Sequence, residues 1–134
     1  MKDKSLWAIF WAVTAVFVIL IGVTFIPSSA GWLVIVLLVI YIALVGLGAA
    51  LLVLTIRKKM TGKLRNFLLL TGSAAAGFPI AAVLHNLVSA LFNTEEPVFF
   101  VIATIACPIG FLVGFVGIII LTIKSRAQET GQNV

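Results

Sequence analysis

TGSAAAGFPIAAVLHNLVSALFN, residues 71–93, is the stretch that decides how this chain folds. It carries no charge over a length close to the ~20 residues a helix needs to cross a ~30 Å hydrocarbon core. It also holds the only histidine of the chain, His85, next to Asn86, and a Gly77-Phe78-Pro79 break. In a bilayer, aliphatic side chains at 85 and 86 would cost less than an imidazole and an amide. His85 and Asn86 are therefore the leading functional candidates.

The rest of the chain shares this character. Of 134 residues, 63% are hydrophobic and 10% charged, and the mean hydropathy is +1.29, against roughly 45–50% apolar residues in soluble domains. So few charged groups cannot cover such a core in water, whereas a bilayer requires no polar cover around the waist. Residues 1–134 read as one membrane domain with the lipid bilayer as its first partner.

Apolar runs on either side of 71–93 predict an all-α, four-span transmembrane bundle of two antiparallel hairpins. The spans are expected at about 6–26, 32–56, 66–92 and 98–123. The start of the chain, with Lys2 and Lys4 before an apolar run and Ser28-Ser29-Ala30 after it, also resembles a secretory signal. The run exceeds the usual ~7–15-residue signal core, so a retained first span is expected. Pro27 to Gly31 and Asn93 to Pro97 make tight turns, and the polar tail 124–134 is expected to be disordered.

Charge orients the bundle. The net charge is +5, and the basic residues flank the spans: Lys2 and Lys4, then Arg57, Lys58, Lys59, Lys63 and Arg65 in the loop 57–65, then Lys124 and Arg126. Four spans place all nine Lys and Arg residues on one side, which predicts cytoplasmic termini and a cytoplasmic basic loop in a plasma or cytoplasmic membrane. The loop residues are expected to meet anionic headgroups. No pattern for nucleic acid accompanies them. Glu95 and Glu96 fall on the opposite side.

Small residues predict packing. In the fourth span Ala103, Cys107, Gly110, Gly114, Gly117 and Leu121 recur at steps of four and three, with Gly110 and Gly114 as a GxxxG pair. In the third span Gly72, Ala75, Pro79, Ala82 and Asn86 repeat the spacing, which marks it as the most enclosed helix. The second span adds Ala43, Gly46 and Ala50. The first span, with Ile9, Val13, Val16, Phe17 and Leu20 and bulky neighbours, reads as the most lipid-exposed. So many close-packing faces predict a homo-oligomer or a membrane-protein partner.

A helical rise of ~1.5 Å per residue sets depth. With Pro79 near the midplane, Tyr41, His85, Thr104 and Cys107 lie roughly 4, 8, 10 and 5 Å toward the acidic side. Tyr41, His85, Asn86, Thr104 and Cys107 thus share a polar layer. Pro79 and Pro108 kink their helices and free the carbonyls of Ala75 and Thr104. The simplest expectation is that His85, Asn86 and Tyr41 bond those carbonyls or one another.

Three functions follow from these features. The first is assembly through helix packing, as a homo-oligomer or as a subunit or accessory of a larger complex. The second is a channel or uncoupled transporter using Tyr41, His85, Asn86 and Thr104. The third is a redox subunit linked to haem or quinone through His85, where bis-histidine haem ligation needs a second copy. Copper(I) on His85 and Cys107 lacks a third soft ligand, and no metal site is expected. The single cysteine excludes an intrachain disulfide. No catalytic set is present, and enzyme activity is not expected.

Overall fold

The computed structural model describes residues 3–27 and 29–132; Lys2 of the first basic pair, Ser28 of the first turn, and the tail residues Asn133 and Val134 lie outside the described residues. Among the described residues all regular structure is helical, and four helices are long and apolar enough to cross a membrane. They are the helices of a small multi-pass membrane protein.

Helix α1 (Lys4–Thr24) starts where Asp3 Oδ1 accepts hydrogen bonds from the amides of Ser5, at 3.1 Å, and Leu6, at 3.3 Å. That satisfies two donors that a helix start leaves free. Helix α2 (Gly31–Arg57) ends in the basic loop. Helix α3 (Gly62–Phe92) begins ahead of the expected Asn66 and ends at Asn93, whose φ of 49° is left-handed. Asparagine tolerates that conformation better than most side chains.

The fourth span has three parts. Helix α4 (Pro97–Val101) is capped by the Glu96 carboxylate, which accepts from the amides of Val98 at 2.8 Å and Phe99 at 2.9 Å. Pro97 sits in the first turn, where its missing N–H is no loss. A π-helical turn follows at Ile102–Ala106, and α5 runs from Cys107 to Gln132. The tail after Ile123, expected to be disordered, is therefore exposed helix as far as it is described. Its Lys-Ser-Arg-Ala-Gln-Glu composition contains no breaker before Gly131, so the helix continues.

Helix α3 is the most buried span and α2 the least. The closest backbone packing is α3 against α2 and against α5. Glycine makes these approaches possible. A Cβ on Gly48 of α2 would lie 2.8 Å from the Gly72 carbonyl oxygen and 2.9 Å from the Ala76 nitrogen. On α5, a Cβ on Gly114 would meet the Phe67 carbonyl oxygen at 3.0 Å and collide with the Thr71 hydroxyl, and one on Gly117 would meet the Phe67 ring. The spacing predicted the α5 seam at Gly114 and Gly117, whose partner is α3 of the same chain, but in α2 the close approach falls at Gly48 and not at Gly46 of the expected stripe.

Helix α1 joins differently. Val13, Phe17 and Leu20, expected to face lipid, are buried together with Leu6 and Phe10. Phe17 stacks on Phe111 with ring centroids 4.0 Å apart, and Phe10 on Phe115 at 5.7 Å. These rings fill the space between α1 and α5, whose backbones stay further apart than those of the glycine seams. The first span thus carries a buried stripe at steps of four and three that bulky neighbours concealed.

Buried hydroxyls are satisfied locally. Thr55, Thr71 and Thr122 each donate to the carbonyl four residues earlier, on Leu51, Phe67 and Ile118. No partner helix is needed for them. The two ends of the bundle each have a polar clasp. At one end Lys58 pairs with Asp3, both about one-third exposed, and joins the end of α2 to the start of α1. At the other, His85 joins α3 to the start of α4.

Candidate functional site

Beyond Pro79 the packing of α3 changes. Pro79 itself is buried, but Ile80, Val83 and Leu87 are about half exposed. Across from them the π turn widens the fourth span one turn before Pro108, with the Cys107 amide donating to the Ile102 carbonyl. A wider turn of this kind is frequent at functional sites. Between these two irregular helices and α2 lies a cleft of about 320 Å³, lined by Tyr41, Phe78, Ala82, His85, Asn86, Phe100, Ala103 and Thr104.

Four of the five side chains of the expected polar layer line this one cleft. Cys107 does not. It is buried against Gly77, where an added Cβ would lie 3.5 Å from its sulfur. Depth along the helix placed Cys107 with the others, but its rotation about α5 turns it away, and copper ligation by His85 and Cys107 loses its geometry. Among the described residues no group of three His, Cys, Asp or Glu side chains is placed to hold a metal.

His85 is fixed by geometry. Its Nδ1 lies 2.7 Å from the backbone carbonyl oxygen of Glu96. A carbonyl only accepts, so Nδ1 carries a proton, and in the neutral form of the ring Nε2 is then the acceptor; the Glu96 carboxylate lies 3.9 Å from the same Nδ1. Nε2 has no hydrogen-bond partner among the described residues. The Phe100 ring lies 5.3 Å away, tilted by 52°. Ser89 supports the same turn by accepting from the Glu96 amide at 3.3 Å.

The other members are placed by their own helices. Asn86 donates through Nδ2 to the Ala82 carbonyl at 2.9 Å, and Thr104 to the Phe100 carbonyl at 2.7 Å. Tyr41 stands edge-on to Phe78 with ring centroids 6.1 Å apart, and its hydroxyl makes no hydrogen bond among the described residues. None of these side chains reaches the carbonyls of Ala75 or Thr104. The expected clasp on the proline-freed carbonyls is therefore not formed: the side chains sit beyond the Pro79 break, and the π turn changes the backbone register before Pro108.

The result is a recess lined by no Lys, Arg, Asp or Glu side chain, with the Tyr41 hydroxyl, His85 Nε2 and the remaining capacity of Asn86 and Thr104. Asn86, Phe100 and Thr104 are exposed at its rim, so it opens sideways, toward what would be lipid. His85 also forms a wall of a second recess of about 400 Å³ with Ser89, Glu95, Glu96, Pro97 and Phe100. This recess lies at the end of the bundle. Sequence reading missed the Glu96 carbonyl as partner of His85. The signal was present in the short Asn93–Pro97 turn, which folds the chain back beside the last turns of α3.

For haem, Nε2 is the available ligand atom, but no second His, Cys or Met lines the cleft. Compared with known protein families, characterised proteins and solved structures, the chain matches none.

Proposed function

We propose that this chain is a multi-pass membrane protein that binds a small, uncharged ligand in the Tyr41–His85–Asn86–Thr104 cleft, reached sideways from the bilayer. The observation that carries the reading is the state of two groups inside an apolar span. The Tyr41 hydroxyl and His85 Nε2 have no hydrogen-bond partner among the described residues, while each buried threonine elsewhere in the bundle is satisfied by its own helix. Unsatisfied polar groups at membrane depth carry a cost that a ligand would remove. In this reading the helices form two antiparallel hairpins, and both termini and the loop of Arg57, Lys58, Lys59, Lys63 and Arg65 face the cytoplasm, with that loop on anionic headgroups.

Native mass spectrometry of gently purified protein tests it. Wild type is expected to retain a discrete small-molecule adduct that His85→Ala and Tyr41→Phe release. Identical spectra for all three proteins would overturn the reading.

Assembly is the second reading, and one observation favours it. Gly46, on the least buried helix, has nothing within 4 Å of an added Cβ, so this part of the α2 small-residue patch is left open by the chain itself. Gly46→Leu is expected to lower the mass of a homo-oligomer, or of a complex with a membrane partner, in mild detergent. An unchanged mass distribution would reject the patch as an interface.

A further inference from the structure

Tyr41 stands on a wall shared by two recesses. On one side is the polar cleft. On the other an apolar groove of about 380 Å³ runs between α2 and α3, lined by Leu38, Ile42, Val45, Ile80 and Val83 with Tyr41 and Pro79. From Leu38 to Val45 the groove follows α2 for about 10 Å at the helical rise. The Tyr41 hydroxyl is its one side-chain polar group.

Resting on the reading that the cleft is a ligand site, we infer that cleft and groove together hold one amphiphile: an uncharged, planar, hydroxyl- or carbonyl-bearing ring on a single apolar tail, the chemical class of quinols and long-chain phenols. Three features select the head. No Lys, Arg, Asp or Glu side chain lines the cleft, so a charged head would be desolvated without a counter-charge. The rings of Tyr41, Phe78, His85 and Phe100 line the cleft, and their faces and edges suit a ring-bearing head. The Tyr41 hydroxyl can donate and, in the neutral ring with its proton on Nδ1, His85 Nε2 accepts, which matches a ring that carries both an acceptor oxygen and an O–H.

The groove selects the tail. The groove and the cleft share Tyr41, and past that side chain the groove offers an alkyl or isoprenoid chain only apolar walls. Its walls are open to the lipid, with Ile42 65% and Val83 52% exposed. Its single trough takes one chain.

The test measures equilibrium binding to the full-length protein in lipid nanodiscs, with empty discs subtracted, using hydroquinone, decylhydroquinone and decyl phosphate. Decylhydroquinone is expected to bind at least tenfold more tightly than either of the others. Val83→Trp and Ile42→Trp fill the groove from opposite walls without touching the cleft. Each is expected to weaken decylhydroquinone at least tenfold and to change hydroquinone by less than twofold. Because both positions face lipid, the fold should tolerate them, and retained hydroquinone binding reports that it has.

Decylhydroquinone affinity within twofold of wild type in both groove variants would overturn the tail assignment while leaving the cleft reading intact, provided His85→Ala still abolishes binding. Decyl phosphate binding as well as decylhydroquinone would overturn the uncharged head. Binding of neither ring compound, or binding unchanged by His85→Ala and Tyr41→Phe, would overturn the inference together with the cleft reading.

Discussion

The two halves of α3 solve different problems. From Gly62 to Phe78 the helix is locked at backbone distance between Gly48 of α2 and Gly114 of α5, and its buried Thr71 is satisfied within its own turn. From Pro79 to Phe92 it borders open recesses, and His85 and Tyr41 keep unused hydrogen-bonding capacity. Lipid supplies no hydrophobic drive between helices, so the first half must gain its stability from close van der Waals contact. The difference teaches that one helix can be scaffold and site at once, with Pro79 as the boundary.

If that division is right, the largest effects on folding come from methyl groups added to the locked half. At Gly48 the added carbon meets backbone atoms of Gly72 and Ala76 at 2.8 and 2.9 Å, which no rotamer change relieves. Gly114→Ala is similarly blocked by the Phe67 carbonyl and the Thr71 amide, both at 3.0 Å. Each substitution is expected to cost roughly 1–3 kcal/mol, read as earlier unfolding in a denaturing-detergent titration followed by circular dichroism. Wild-type midpoints for both would break the comparison. Gly117→Ala should cost less, because it presses on a Phe67 ring beside an open groove.

How much of this was legible can be argued from particular residues. The four spans follow from uninterrupted apolar runs, because the bilayer thickness sets a length that no soluble element needs. Helical rise gave the shared depth of Tyr41, His85, Asn86 and Thr104. It could not give rotation, so Cys107 was grouped with side chains from which α5 turns it away. The spacing of Gly110, Gly114 and Gly117 identified a seam but not its partner, since any helix with a matching surface answers it. Most of it is filled by α3 of the same chain. The stripe of α1 was hidden for the opposite reason: aromatic residues serve equally against lipid and against Phe111 and Phe115, and only the tertiary arrangement decides. The short Asn93–Pro97 turn carried the signal for the His85–Glu96 contact, whereas the π turn at Ile102–Ala106 has no local pattern that records it.

The open half predicts a smaller and more local effect. His85→Ala removes the donor to the Glu96 carbonyl, with an expected cost of about 0.5–1.5 kcal/mol. Amide exchange should quicken at Val98 and Phe99, where the Glu96 cap holds the start of α4, and stay unchanged at Thr71. Faster exchange at Thr71 as well would mean that the halves are not separate.

Gly110 sharpens the comparison with a change of sign. It belongs to the same GxxxG pair as Gly114, yet an added Cβ there meets Leu70 at 3.5 Å and Ala74 at 3.6 Å, ordinary contact distances. Gly110→Ala is expected to be neutral or to stabilise by up to about 1 kcal/mol through helix propensity. A loss matching that of Gly114→Ala would show that the motif, rather than the measured gap, governs the seam.

The smallest effect belongs to the clasp at the locked end. Lys58 beside Asp3 holds that carboxyl well below its ordinary value of 3.8, with Ser5 and the Leu6 amide adding to it. A carboxylate whose folded pKa is depressed contributes stability that is fully present above its unfolded pKa and is lost as pH falls through the folded value. The pair is exposed, so solvent and salt screen it and the contribution is small. Wild type should therefore keep its unfolding midpoint from neutral pH down to about pH 4, the unfolded carboxylate value, and lose a little below it. Asp3→Asn should start from a slightly lower midpoint, with the gap between the two narrowing as the pH falls below 4 and closing first at high salt. No gap at any pH would place the effect of Asp3 in its cap on the Ser5 and Leu6 amides, which an amide oxygen also supplies, and not in its charge.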